Sequence, residues 1–101
     1  MSATIERRKI EILLDAPLVA TAIGIIERAG VTGYTLLPAS GGAGRGGRWS
    51  DDQVTRADSK VLLLTIARVE QTDAIVAALE PLLDSHGMII MLSSVQVVRA
   101  E

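Results

Sequence analysis

The sequence predicts an α+β fold in which two helices pack on one face of a four-stranded antiparallel sheet. Strand-like and helical segments follow the order β-α-β, a long loop, then β-α-β. Apolar residues make up 49% of the chain, yet there is no phenylalanine, so the core is expected to be aliphatic. At 101 residues, the chain is predicted to form one domain that spans 1–101. These observations favour a ferredoxin-like βαββαβ sandwich.

The first half supplies a strand, a helix and a second strand. Residues 6–14 are predicted to form a strand, because Ile10, Ile12 and Leu14 alternate with the mixed set Lys9, Glu11 and Leu13. Asp15 is expected to cap the following helix, and Gly30 to stop it. The second strand is predicted in "GYTLLPA", with Pro38 at its end. One helix face is predicted to consist of Leu18, Val19, Ala22, Ile25, Ile26 and Ala29.

The second half repeats the pattern. The nearly continuous apolar run "SKVLLLTIARV" predicts a central strand that is covered on both sides. A second helix follows, and Pro81 predicts a kink or tightened turn within it. The final segment "MIIMLSSVQVVRAE" is predicted to form a strand, either whole or broken at Ser93–Ser94. The apolar face of the second helix is predicted to contain Ile75, Val76, Leu79, Leu82 and Leu83.

The sheet face away from the helices is also expected to be rich in Ile, Leu and Val. So much aliphatic surface on a short chain indicates burial against copies of the same chain. The basic run "ERRK" at 6–9 is interpreted as a solvent-facing strand edge, where charge discourages aggregation.

A long glycine-rich loop is predicted over about 40–58, beginning "SGGAGRGGRWSDD". Glycine backbones can turn successive N–H groups toward one anion, and Arg45 and Arg48 add forked cationic donors. A disordered linker is the alternative interpretation. A loop of this length inside a compact domain is uncommon unless it is functional, which favours an anion site. Trp49 is interpreted as a partner contact, because tryptophan is enriched at binding hot spots.

Composition argues against several function classes. The net charge of −2 gives no general attraction to nucleic acid or to an anionic membrane. No apolar run is long enough for a membrane span or a signal peptide, so a cytoplasmic location without membrane insertion is expected. With no cysteine and His86 as the only histidine, no metal site is predicted. No nucleophilic triad is found, so no catalytic residue is predicted.

The chain resembles the PII signal-transduction superfamily over nearly its full length. The resemblance lies in "GYT" followed by the glycine–arginine run and in "SVQVVRAE", which is similar to the family's last strand. It is closest to the PII-like proteins of inorganic-carbon uptake, which include the SbtB-like and carboxysome-associated PII-like proteins. This implies a homotrimer with nucleotide sites in the clefts between subunits, and it makes residues 40–58 the family's T-loop.

The resemblance also implies roles for individual residues. Thr35 would line the adenine or ribose pocket, Arg99 would approach the phosphates, and Gly87 marks the family's B-loop. That loop lacks the family's lysine here, which favours ADP or AMP over a triphosphate. The nucleotide- and anion-binding set is Thr35, Gly41, Gly42, Gly44, Arg45, Arg48, Gly87 and Arg99.

The predicted function is therefore a regulatory sensor, not an enzyme. Adenine nucleotide and bicarbonate would act as effectors, with no prosthetic group. Ordering of the T-loop would control a partner in inorganic-carbon metabolism, such as a bicarbonate transporter or a carboxysome-related protein. The alternative is a small-molecule enzyme, either acylphosphatase-like or a slow nucleotide hydrolase.

Overall fold

The computed structural model describes residues 2–44, 47–50 and 59–100. A short 3-10 turn, Ala16–Leu18, joins the first strand to the first helix. None of the helices in these ranges is long and apolar enough to cross a membrane. The elements are β1 (Ser2–Asp15), α1 (Val19–Arg28), β2 (Thr35–Ala39), β3 (Gly41–Gly44), β4 (Gly47–Ser50), β5 (Lys60–Ala67), α2 (Val69–His86) and β6 (Ile89–Ala100).

Four strands form one antiparallel sheet in the order β2-β5-β1-β6. β5 and β1 therefore lie in the middle of the sheet, and β2 and β6 form its edges. Leu13 shows the register, since it pairs with Leu62 on one side and with Ile89 on the other. This is the predicted ferredoxin-like arrangement, and it confirms the fold class.

β1 is longer than the pattern predicted. It begins at Ser2, four residues before the predicted start at 6, because β6 pairs with it from Ser2↔Ala100 to Leu13↔Ile89. The interpretation of the run at 6–9 as a strand edge holds for Glu6 and Arg7, which pair with β6 alone, and is wrong for Arg8 and Lys9, which pair with both β5 and β6.

The predicted helix cap at Asp15 is also wrong. Asp15 precedes the 3-10 turn, but its side chain makes no capping hydrogen bond. Its carboxylate instead accepts a hydrogen bond from Lys60 at 2.6 Å. The pairing of β1 with β5 brings Lys60 opposite Asp15, so the carboxylate makes this charge-assisted hydrogen bond across the sheet.

Two prolines and a pair of serines do not interrupt the elements that contain them. β2 runs through Pro38 to Ala39, which an edge strand tolerates because its outer side needs no N–H donor. α2 continues through Pro81 to His86, where Gly87 closes it with φ +63°. β6 is continuous through Ser93–Ser94, because both serines pair with β1.

The helices cover one face of the sheet, which we call the helix-covered face. Ile10 and Ile12 of β1 and Leu63 of β5 are fully buried there beneath Ile75 and Leu79 of α2. The predicted face of α1 is present, with three of its members buried: Ala22, Ile25 and Ile26. This cluster is the core of the chain.

The other sheet face carries no helix, and we call it the free face. It is also apolar, yet its side chains are only partly covered. Ile66 is 38% exposed, Met91 46% and Ile89 52%. The prediction that β5 is covered on both sides therefore fails within one chain, since only its helix-facing side is buried. By strand register, the larger apolar side chains of the free face are Ile5, Leu13, Leu37, Leu62, Leu64, Ile66, Ile89, Met91, Val95 and Val97.

Candidate functional site

The glycine-rich segment is not irregular where the structure describes it. Gly41–Gly44 and Gly47–Ser50 pair as a two-stranded antiparallel ribbon, which we call the ribbon. Its register places Arg48 opposite Ala43. The loop predicted over about 40–58 therefore contains a two-stranded ribbon, which the sequence analysis did not predict. An extended strand also differs from the turned backbone of an anion nest, so the ribbon offers the unpaired N–H groups of its outer edges instead.

Gly44 and Gly47 of the ribbon differ in whether the backbone conformation requires glycine. Gly47 has φ +97°, a backbone conformation that other residues adopt only with strain. Gly44 has no such angle, and a Cβ added there would meet nothing within 4 Å. Neither backbone conformation nor packing within the chain requires glycine at 44. The ribbon surface at Gly44 is thus bare backbone that an outside molecule can approach closely.

An ion pair fixes the sheet beside the ribbon. Lys60 Nζ lies 2.6 Å from Asp15 Oδ1, and the Ala16 N–H donates to the Ser59 carbonyl at 2.8 Å. Both contacts tie the end of β1 to the start of β5. The sequence analysis missed this pair. In the sequence, the only indication of the pair is an acidic residue at the end of one apolar strand and a basic residue at the start of another.

Gly87 lies at the same end of the sheet as the ribbon. Ile89 follows it closely and pairs with Leu13, two residues before Asp15. The ribbon leaves the opposite edge of the sheet, about 14 Å away across three strand spacings. Next to Gly87, His86 Nδ1 lies 2.7 Å from the Ser85 hydroxyl. Gly87 and the ribbon therefore lie at the same end of the sheet, on opposite edges.

Thr35 is positioned by the core. It is exposed, starts β2 and pairs with Leu64. The buried Thr65 hydroxyl donates to the Gly33 carbonyl at 2.5 Å, which fixes the chain just before β2. Gly33 resembles Gly44, because an added Cβ there would also meet nothing within 4 Å. The backbone leading to Thr35 is therefore held firmly and is open on its outer side.

Arg99 lies at the other end of the molecule. It pairs with Ala3, whereas the ribbon leaves the sheet near Asp15. Twelve residues of β1 separate these two positions, or about 40 Å at the rise of an extended strand. Arg48 and Arg99 of one chain therefore cannot hold the same small ligand.

Two predicted residues are described incompletely. Arg45 lies outside the described residues. Trp49 belongs to β4, where it pairs with Gly42, but its side chain is outside the described set. The described residues of the predicted site thus lie in four separate places: the ribbon with Arg48, the start of β2 at Thr35, the end of α2 at Gly87, and Arg99.

Comparison with known families settles the relationship. The model of the family described as nitrogen regulatory protein P-II matches residues 7–101. The chain belongs to the P-II family. This confirms the predicted PII resemblance and makes the chain a PII-like regulatory protein. No curated protein sequence matches it.

Solved structures share the fold of this P-II family member. CPII from Thiomonas intermedia K12, a PII-like protein bound to ADP, AMP and bicarbonate, superposes with a TM-score of 0.88 at 22% identity, covering 96% of this chain and 92% of CPII. A PII-like signalling protein from Thermus thermophilus gives 0.79 at 22% identity, covering 93% and 91%. The GlnK–ATP complex of B. subtilis gives 0.63 at 13% identity, covering 89% and 82%.

Proposed function

We propose that this P-II family member is an adenine-nucleotide sensor that assembles as a homotrimer. Each cleft between subunits binds ADP or AMP, with bicarbonate as a second effector. Binding changes the conformation of residues 40–58 and thereby controls a partner in inorganic-carbon metabolism. That partner is a bicarbonate transporter or a carboxysome-related protein.

The observation that carries this proposal is the separation of the candidate residues within one chain. Arg48 and Arg99 pair with opposite ends of the molecule, at Ala43 in the ribbon and at Ala3 in β1. Both arginines are exposed, and both offer forked donors suited to phosphate or carboxylate oxygens. A site that uses both arginines needs two chains, so the ligand sits where copies meet.

The free face gives the copies a reason to associate. Ile66, Met91 and Ile89 are between about one third and one half exposed in the single chain. Burying aliphatic side chains of this kind stabilises an assembly by about 25 cal/mol per Å² of apolar surface. Association through the free face leaves the ribbon, at the end of the sheet, outside the apolar contact.

The ligand assignment is supported by the relatives that share the fold. CPII has been solved with ADP, AMP and bicarbonate, and also with ADP and bicarbonate. The segment "LDSHG", which ends α2, contains no lysine for a terminal phosphate. This composition favours ADP or AMP over ATP. Bicarbonate is a planar anion that suits backbone N–H groups and an arginine fork.

The ribbon supplies the output of the sensor. It is exposed, rich in glycine and joined to the sheet through Ser40 and residues 51–59. A ligand that prefers one ribbon conformation shifts the population toward it by its difference in affinity for the two states. Trp49 then contacts the partner in one state and is withheld in the other.

Calorimetric titration with ADP, AMP, cyclic AMP and ATP, with and without bicarbonate, tests the proposal directly. Trp49 fluorescence is followed in the same samples, since it is the only tryptophan. We expect saturable binding of ADP or AMP, tightened by bicarbonate, with a changed tryptophan signal. Absence of nucleotide binding contradicts the proposal, and product formation at a steady rate supports an enzyme instead.

Arg48→Ala identifies the anion-binding side chain. Loss of one charge-assisted hydrogen-bonding group is expected to weaken ADP binding about tenfold. Arg28→Ala is the matched control, since Arg28 is also an exposed arginine but ends α1, away from the ribbon. Equal affinities for the two variants remove Arg48 from the site.

A further inference from the structure

The ribbon is a small sheet that is separate from the four-stranded sheet. Among the described residues, its strands Gly41–Gly44 and Gly47–Ser50 pair only with each other. Every side chain that the structure describes in the ribbon is exposed, so no other described element covers it. Two paired strands are marginally stable in water and are ordinarily stabilised by a third strand or a packed helix. A third strand from outside the chain would complete the ribbon.

The outer edges of the ribbon can accept such a strand. Neither edge pairs with another described strand. In an antiparallel pair, residues alternate between those that bond across the pair and those whose N–H and C=O groups point outward. About half of the residues on each edge therefore offer a donor and an acceptor to a further strand. Extended peptides bind to sheet edges through main-chain hydrogen bonds of this kind.

β3 is the edge that another backbone can approach more closely. It consists of three glycines and Ala43, so its largest side chain is a methyl group. β4 instead carries Arg48 and Trp49. At Gly44 an added Cβ would meet nothing within 4 Å, so packing within the chain does not require glycine there. Close approach of a second backbone is a reason for glycine that lies outside the chain.

The outer edges of the four-stranded sheet are less suited to a further strand. β2 contains Pro38, which has no N–H group to donate. β6 belongs to a sheet of four strands that packs on two helices, and a sheet of that kind is stable without another strand. The ribbon is therefore the described part of the chain that gains most from strand addition.

The ribbon is also a cationic segment of an acidic chain. The net charge of the chain is −2, whereas residues 40–50 contain two arginines and no acidic residue. Arg48, one of the two, is exposed, and no carboxylate of the described residues pairs with it. A partner segment that carries a carboxylate complements this charge.

The register of the ribbon gives that carboxylate a position. Arg48 lies directly opposite Ala43, so the two side chains are on the same face of the ribbon. A third strand beside β3 places one residue in the same row, about 10 Å from Arg48 across two strand spacings. Only the methyl group of Ala43 lies between them. An arginine and a glutamate side chain that extend toward each other can therefore meet above Ala43 and form a charge-assisted hydrogen bond.

We propose that the outer edge of β3 binds an extended acidic segment of a partner protein, which adds to the ribbon as a third strand. Main-chain hydrogen bonds to β3 hold the segment, and its carboxylate in the row of Ala43 pairs with Arg48. The inference rests on the ribbon as the output of the proposed function and adds the kind of partner that it recognises. ADP competes with that carboxylate for Arg48, so nucleotide and partner weaken each other's binding.

Fluorescence polarisation of labelled synthetic peptides with the full chain tests the inference. The first probe is a short peptide of alternating threonine and valine with one central glutamate, and the second has lysine in place of that glutamate. The third is the glutamate peptide N-methylated along its backbone. We expect the glutamate peptide to bind about tenfold more tightly than the lysine peptide and the N-methylated peptide not to bind. Saturating ADP is expected to remove the advantage of glutamate.

A variant of Ala43 supplies the carboxylate from within the chain. Ala43→Glu places it directly opposite Arg48 and is expected to remove the preference for the glutamate peptide. Ala43→Gln is the matched control, because it adds a side chain of the same length without the charge, and it is expected to retain the preference. Circular dichroism verifies that both variants are folded. Loss of the preference in both variants, or in neither, overturns the pairing of the carboxylate with Arg48.

Hydrogen exchange locates the bound peptide. The glutamate peptide is expected to slow amide exchange in Gly41–Gly44 about tenfold and to leave Ile89–Ala100 unchanged. Slower exchange in β6 or β2 instead of β3 overturns the assignment of the edge. Slower exchange in β3 as the concentration of the protein alone rises identifies a second copy as the occupant, and tighter binding of a single-stranded RNA than of the peptide identifies nucleic acid. Either result overturns the inference.

Titration of the same preparation with ADP separates this inference from the proposed function. A chain that binds ADP but none of the peptides overturns the inference and leaves the nucleotide sensor standing. A chain that binds the glutamate peptide along β3 but does not bind ADP supports the peptide edge and contradicts the nucleotide sensor. Binding of ADP without any effect on the affinity for the glutamate peptide overturns the competition for Arg48.

Discussion

The two faces of the sheet have similar aliphatic composition but differ in what covers them. On the helix-covered face, Ile10, Ile12 and Leu63 are fully buried by helices of the same chain. On the free face, Ile66 and Met91 keep more than a third of their surface exposed. The helix-covered face is completed within one chain, whereas the free face is the one through which we propose that copies associate.

The polar residues differ in the same way. Thr65 and Thr72, the buried polar residues of the described core, satisfy their hydroxyls through backbone carbonyls within the chain. Lys9 and Glu11 on the free face have each other at 3.6 Å, a distance that leaves room for closer partners. The free face also holds the Asp15–Lys60 pair at 2.6 Å, so its polar groups form ion pairs between side chains, whereas those of the core are bonded to backbone carbonyls.

The largest expected effect is on folding. Ile12→Ala removes a fully buried side chain from the helix-covered face and is expected to lower the free energy of unfolding by about 4 kcal/mol. Ile66→Ala makes the same substitution on the free face. The loss in free energy of unfolding that it causes is expected to depend on protein concentration. Urea unfolding at two concentrations measures both. If both variants lose the same free energy of unfolding at both concentrations, the proposed difference between the two faces is contradicted.

The second prediction concerns association. Leu62→Asp places an unpaired charge on the free face and is expected to weaken assembly by about 3 kcal/mol per copy while the chain stays folded. Light scattering is expected to give the mass of a monomer. Ala77→Asp adds the same charge at an exposed position of α2 and serves as the control. Retention of the assembly in Leu62→Asp contradicts burial of this face.

A smaller effect is expected at Thr65. Thr65→Val removes the hydrogen bond to the Gly33 carbonyl and is expected to cost about 1 kcal/mol of stability. Because this bond fixes the chain before Thr35, nucleotide affinity is expected to fall as well. The control is Thr21→Val, an equivalent substitution at an exposed position of α1. Unchanged stability and affinity would show that the contact is dispensable.

The smallest effect is a pH dependence outside both faces. A hydrogen bond from its own backbone N–H, then one from Arg68, lowers the pKa of Glu70 below its ordinary value of 4.5. A lowered pKa in the folded state adds stability that is present above the unfolded-state value and is lost as the pH falls through the folded-state value. Glu70→Gln is therefore expected to flatten the acid side of the stability profile slightly.

Thermal unfolding over a series of pH values measures that profile. Glu80→Gln, at another exposed position of α2, controls for the loss of one negative charge. An acid limb as steep in Glu70→Gln as in wild type would contradict the role of Arg68 and the backbone N–H.

Local patterns explain why the fold was predictable. The fold rests on patterns that repeat: the alternation in β1, the apolar run of β5 and the helical spacing in α1. Because each pattern extends over several residues, one residue that departs from it does not change the predicted element. The ribbon was missed because glycine is depleted in strands, and the composition of residues 41–47 indicates a loop. The Asp15–Lys60 pair was missed because it depends on which strands become neighbours.

The candidate site was predictable in its residue types and not in its geometry. Arg48 and the surrounding glycines indicate anion chemistry within one short segment. The distance between Arg48 and Arg99 follows from the pairing of β6 with the full length of β1, a long-range register that local sequence does not encode. That register is the reason why the proposed site needs two chains.

Complementation between two inactive variants tests the central claim most directly. Arg48→Ala and Arg99→Ala chains are expected to bind ADP weakly when each is purified alone. Mixed and refolded together, they form assemblies in which some clefts take Arg48 from one chain and Arg99 from its neighbour. Calorimetry is predicted to show a fraction of sites regaining wild-type affinity. If the mixed assemblies bind ADP no better than the separate variants, a site shared between chains is contradicted.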